Sequence, residues 1–143
     1  MGTSERLRFG VVLLVMTCAG RASAREEYTR EFRKTVPLAS GRTFRIDHSL
    51  GNITIRTQVK NEVEIHAIIR CSADTAADAR SHAEEVRIRV DEGGSGVAVR
   101  TEYPEHDRGG GFWNWLENRN ISFSADYDIV VPETAPVEAR SFF

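Results

Sequence analysis

Three short runs between Phe44 and Ile69 alternate apolar and polar residues, and that period of two constrains the chain to β-structure more than any other feature. Phe44 and Ile46 end the first run, and Leu50-Gly51-Asn52 reads as a turn. Ile53 and Ile55 carry the second run, Lys60-Asn61 turns again, and Val63, Ile65, Ala67 and Ile69 line the third. Successive side chains of a strand point to opposite faces, so these apolar residues share one face. The spacing predicts an antiparallel meander, a pattern that builds a core and carries no chemistry.

The same period recurs on both sides. Tyr28, Arg30, Phe32, Lys34 and Val36 belong to a partly alternating, charge-rich segment limited by Pro37, which reads as an edge strand. From Asp74 to Val86 the period changes: Ala76, Ala79, Ala83 and Val86 fall at helical spacing behind Thr75-x-x-Asp78, a capping box with Asp for Glu. One short helix over about 74–86 is expected, with its alanine face on a sheet. Val86, Ile88 and Val90 resume alternation, and Gly93-Gly94-Ser95-Gly96 turns the chain into Val97, Val99 and Thr101, closed by Tyr103-Pro104. Ile121, Phe123, Ala125, Tyr127, Ile129 and Val131 then face one way along a long strand with one wet face, ended by Pro132. Ile53, Ile65, Phe123 and Ile129 are expected to be buried. Val137 to Phe143 alternates weakly and reads as an unprotected last strand. The class is mainly β: an antiparallel meander or sandwich-like sheet with one short helix.

The first residues read as an address. Arg6 and Arg8 precede an apolar run from Phe9 to Gly20, and Ala22-Ser23-Ala24 has the form of a cleavage site. The run is shorter than the ~20 apolar residues a spanning helix needs. Residues 1–24 are therefore expected to be a signal peptide, with a lipoprotein signal acylated at Cys18 as the rival, and residues 25–143 a single domain truncated at its C-terminal end. The expected location is extracytoplasmic: periplasm, cell surface or medium. Of 19 basic and 21 acidic residues, cleavage removes Arg6, Arg8, Arg21 and Glu5, leaving 16 against 20, a net charge near −4. That balance argues against nucleic acid or an anionic membrane surface as the main partner. Cys71 is the one thiol beyond the cleavage site, so no internal disulfide is available, and it reads as a small buried hydrophobe at a strand end.

Chemistry-bearing patterns are few. Asp47-His48-Ser49 holds triad residue types, but sequence neighbours do not point at one another in a strand or turn, so these read as turn and solvent-face residues. His48, His66, His82 and His106 show no ligand spacing, and no metal is expected. Asp126 with Asp128, and Glu62 with Glu64, share strand faces; paired carboxylates can hold Ca²⁺ or move protons, but a solvated face explains them as well. The glycines at 93–96 and 109–111 match neither a P-loop nor a dinucleotide turn, so no cofactor is expected. No catalytic residue and no enzymatic activity is read from the sequence. Asn52-Ile53-Thr54 and Asn120-Ile121-Ser122 are glycosylation sequons only in a eukaryotic secretor.

The aromatic loop is the one candidate contact site. Phe112, Trp113 and Trp115 follow three glycines and precede Leu116. Either they fold back and plug the sheet core, or they present a sticky tip to a glycan, peptide or lipid interface, for which Trp supplies large area and a polar handle.

The order of elements carries a resemblance. Leu50-Gly51-Asn52-Ile53-Thr54-Ile55 is followed by a helix entering a Val-x-Ile-x-Val strand and by a Gly-rich hairpin. Then come Tyr103-Pro104, Tyr127-x-Ile129-x-Val131-Pro132 and Ala135-Pro136-Val137-Glu138. Over about residues 30–140 this resembles the N-terminal part of bacterial exported adhesin-like proteins built from β-strand repeats, whose molecular function is unknown. The resemblance implies a bacterial source and a Pro-Val-Glu segment leading into a β-solenoid, whose repeats this chain lacks. It carries over no catalytic residue. The expected function is a non-catalytic binding or adhesin-like module of the cell envelope, its partner an envelope glycan or protein, or a second copy through the C-terminal strand. The alternative is a structural N-terminal portion of a longer solenoid protein with no ligand of its own.

Overall fold

The computed structural model describes residues 24–104, 116 and 120–141. Among the described residues the elements follow in chain order as β1 (Glu26–Pro37), β2 (Thr43–His48), β3 (Ile53–Gln58), β4 (Glu62–Ala73), α1 (Ala76–Glu85), β5 (Arg87–Gly93), β6 (Gly96–Glu102), β7 (Ser122–Pro132) and β8 (Val137–Ser141). They form two four-stranded sheets, ordered β1-β4-β7-β3 and β5-β6-β2-β8. The inner residues of both sheets join one apolar cluster.

Strict alternation builds the centre of the first sheet. Val63, Ile65, Ala67, Ile69, Cys71 and Ala73 of β4 and Phe123, Ala125, Tyr127, Ile129 and Val131 of β7 are all buried. The two strands pair antiparallel, Ile65 opposite Ile129 and Cys71 opposite Phe123. β1 lies along the whole of β4 and forms the sheet edge that its charges and Pro37 led one to expect. The helix is also where its spacing places it, shortened by two residues at the start and one at the end. Thr75 caps it: the Asp78 N–H donates to Thr75 Oγ1 at 3.1 Å, and that hydroxyl donates to Asp78 Oδ2 at 2.8 Å. Its buried face is Ala79 and Ala83, with Val86 buried just beyond. The glycine hairpin joins β5 and β6 in antiparallel register, Gly93 opposite Gly96.

The meander is not formed. β2 pairs parallel with β6 and with β8, β3 pairs parallel with β7, and β2 and β3 belong to different sheets. The sheets are therefore mixed. Alternation specifies a strand and its inner face, but not its neighbour, and the Leu50-Gly51-Asn52 turn carries the chain across the core instead of folding a hairpin. Gly51 is indispensable there: its φ is +123°, and a Cβ would lie 2.2 Å from the Ala125 carbonyl oxygen. No β-solenoid coil is formed among the described residues. Ile65, Phe123 and Ile129 are buried as expected, but Ile53, on the outermost strand of its sheet, is only half-covered.

Candidate functional site

His48 departs most from its sequence reading. It is 2 % exposed rather than facing solvent. As the last residue of β2 it continues the inward face of Phe44 and Ile46. Its Nδ1 lies 3.2 Å from Thr101 Oγ1 on β6, and that hydroxyl lies 2.6 Å from the Tyr127 hydroxyl on β7. The Tyr127 ring meets the imidazole edge-on at 5.0 Å between centroids. Burial holds His48 below its ordinary 6.5, and the Leu50 and Ala125 backbone near the ring offsets only part of that effect. Nε2 makes no close hydrogen bond. The triplet does not assemble as a unit: Asp47 points to Arg100 at 3.8 Å, and His48 has Thr101 as its partner. What the cluster does is join the sheets, because Tyr127 on one touches Thr101 and His48 on the other.

The carboxylates singled out by alternation lie on the outer face of the first sheet, as a solvated face requires. Asp126 accepts from the Asn52 backbone N–H at 2.9 Å and from Arg70, which together hold its carboxyl below the usual range. Asp128 accepts from Arg56 at 3.1 and 2.6 Å. Glu31 accepts from Arg33 Nε at 2.8 Å, its Oε1 lies 2.6 Å from His66 Nε2, and those partners lower its pKa. Glu62 reaches Lys60 at 3.5 Å. Asp126, Asp128, Glu31 and Glu62 each have a cationic partner, and among the described residues no group of three His, Cys, Asp or Glu converges. A depression of about 280 Å³ on this face is lined by the same ion-paired residues, among them Arg33, Arg56, His66 and Asp128.

Cys71 is fully buried, and desolvation pushes its thiol up to about 11. His66 and His82 lie on β4 and α1, each beside a glutamate. His106, Phe112, Trp113, Trp115, residues 1–23 of the expected signal peptide, and Phe142 and Phe143 lie outside the described residues. Among the described residues no helix is long and apolar enough to cross a membrane, which says nothing of spanning strands.

The remaining candidate is an edge pair that no short motif announces. Among the described residues β3 pairs only with β7, and β8 only with β2, so each ends its sheet there and presents one unpaired backbone edge. Both edges lie at the same end of the sandwich, and the core beneath them is incompletely covered. Ile53 and Ile55 are half-buried, Val137 is 40 % exposed, and every residue of β8 is exposed. In parallel register Val137, Ala139 and Ser141 stand beside Phe44, Ile46 and His48, so their side chains share the inward face, and among the described residues they stay exposed.

No family model matches the chain, and no curated protein is similar to it. Among solved structures, a candidate cell adhesion protein from Clostridium sporogenes is similar at 12% identity and a TM-score of 0.45. That match covers 80% of this chain and 47% of the other, so the chain spans less than half the length of that structure.

Proposed function

We propose that this chain is a non-catalytic, extracytoplasmic binding module of the adhesin-like kind, and that it engages its partner through the β3 and β8 edges. The observation that carries the reading is the pair of open strands over an incompletely covered core. An open edge offers a row of backbone donors and acceptors that a partner strand completes, while inward residues give that strand a surface to pack on. The charged clusters support the same reading in a negative way: their carboxylates are held by arginine, histidine or lysine, and the buried imidazole contacts hydroxyls that lie inside the core. Export follows from the Arg-flanked apolar segment and Ala22-Ser23-Ala24. The test is hydrogen exchange of the purified protein with and without a bacterial envelope preparation. Slowed exchange confined to residues 53–58 and 137–141 is expected; protection elsewhere, or none, removes this reading.

A second reading has one observation in its favour. β8 adds parallel to β2 as β3 adds parallel to β7, so further strands of a longer chain can continue both sheets. The module is then structural, and in-frame coding sequence past Phe143 is what would establish it.

A further inference from the structure

We propose that the occupant of the open end is a second copy of this chain, related by a two-fold axis parallel to the strands, so that β8 of each copy pairs antiparallel with β3 of the other. The inference rests on the reading that these edges bind, and adds what binds them and how.

Strand directions permit it. β2 runs into the turn at residues 49–52 and β3 runs back out of it in the facing sheet. β8 is parallel to β2. At the far end, Pro132 sits beside Gln58, and a short link leads to Val137 beside Phe44. β8 and β3 thus run in opposite senses on opposite sheets. An axis along the strands exchanges the sheets without reversing any strand, so β8 of one copy arrives beside β3 of the other in antiparallel sense. Both open edges close at once, and the interface is self-complementary as a two-fold requires.

The offset between the sheets selects this axis over the alternative. Tyr127 touches Thr101 on β6 and His48 on β2, so β7 faces the seam between those strands and the sheets are half a strand out of step. By the same offset β8 projects beyond β3 by about 2.4 Å, half the interstrand spacing. An axis perpendicular to the sheets would set β8 on β8 and β3 on β3, and that projection prevents both pairs from seating.

Register and charge then agree. Counting outward from the turn, Phe44 stands level with Thr57, and Val137 is beside Phe44. The axis leaves position along the strands unchanged, so Val137 meets the partner's Thr57. Glu138 then meets the partner's Arg56, and Ala139 meets the partner's Ile55. On the inner face, apolar atoms left bare in one copy cover those of the other. On the outer face, Glu138 and Arg56 bring opposite charges together twice per dimer. Both are accessible, with side-chain exposures of 46% and 63%, and each is already paired within its own copy, Glu138 with Arg45 and Arg56 with Asp128, so the contact joins two ion pairs into a row of alternating charge. A shift by two residues would oppose Arg140 to Arg56 instead, so charge discriminates between registers.

Sedimentation of the full chain across a concentration series tests the proposal. The wild type is expected to show a monomer–dimer equilibrium. Arg56→Glu or Glu138→Arg alone should weaken dimerisation by about tenfold or more, since each change replaces two attractive cross-strand pairs by repulsive ones. The double variant Arg56→Glu/Glu138→Arg should restore it to within about threefold of wild type. Val137→Glu, which puts a charge into the inner seam, should abolish it, and circular dichroism establishes that each variant is folded. A wild type that stays monomeric, or a dimer indifferent to both single reversals, or one not rescued by the double change, overturns the pairing. If the wild type is monomeric yet an envelope preparation still protects residues 53–58 and 137–141, the two-fold falls and the binding reading survives. If neither occurs, both fall.

Discussion

At the β1/β5 end of the sandwich, α1 lies against β1 and β4, Arg80 stands over the Tyr28 ring at 5.9 Å, and Arg30 donates to the Val86 carbonyl. Lys34 reaches across to Glu92 at 3.4 Å, tying the outer strands of the two sheets together. At the β3/β8 end there is no helix among the described residues, and the inward residues are half-covered or exposed. The two ends are therefore finished differently: β1 is 12 residues long and rich in charge, whereas β3 and β8 are 6 and 5 residues long and carry few charges. An edge strand studded with charge is shielded against other chains, and a helix on its inner face completes the core. The β3/β8 end has arginines and a glutamate but no cover among the described residues, so its backbone and its apolar side chains both remain available there. Charge on a strand is not by itself a cap; what matters is whether something fills the space beneath it.

Backbone strain at a glycine pressed against a neighbouring strand offers the largest perturbation. Gly96 has φ +142°, and a Cβ there would lie 1.8 Å from the Thr43 carbonyl oxygen. Gly96→Ala should cost about 3 kcal/mol or more, read by urea unfolding, because strain and a backbone clash add. Gly94→Ala in the same hairpin, with open space around it and no positive φ, should stay within about 1 kcal/mol.

Truncating core residues tests the contrast between centre and open end. Ile129→Ala, fully buried on β7, should cost about 2–5 kcal/mol. Ile55→Ala, its paired neighbour on half-covered β3, should cost about half as much. Equal losses in the monomer would mean that the open end is packed like the centre, and would break the comparison.

Acid should loosen the join between the sheets. His48 is held below 6.5 in the folded chain and returns to that value on unfolding, so between the two values the unfolded state binds the extra proton. Its neighbours there are Tyr127, Asp126, Asp47 and Arg100; Asp126 favours the charged ring but does not outweigh burial. Stability is complete above about pH 6.5 and falls as the pH drops from there toward the folded value. The lowered carboxyls of Glu31 and Asp126 act separately, from their ordinary 4.5 and 3.8 downward. His48→Gln should therefore flatten the melting temperature between pH 6.5 and 5 and leave the fall below pH 4.5 in place.

The smallest effect should come from Val59, 85 % exposed in the turn after β3. Val59→Ser should change unfolding free energy by no more than about 0.5 kcal/mol.

Local patterns determined much of this protein. The alternation of β4 and β7, the Thr75 cap and the alanine face of α1, the glycine hairpin and the edge role of β1 follow from period, capping and charge. Each of these is set by residues close in sequence, and their physics is local. Partner choice among the strands is not: Phe44, Ile46, Ile53 and Ile55 face the core equally well in a meander or in two parallel pairings. Only the packed core decides, by placing Gly51 against Ala125 so that the turn crosses between sheets. His48 was illegible for the same reason. A histidine at the end of a strand reads as solvent-facing until Tyr127 and Thr101, distant in sequence, arrive around it and make burial affordable through hydroxyl contacts. The two open edges belong to tertiary structure as well, since an edge is defined by which neighbours are missing, and no residue in β3 or β8 encodes that by itself.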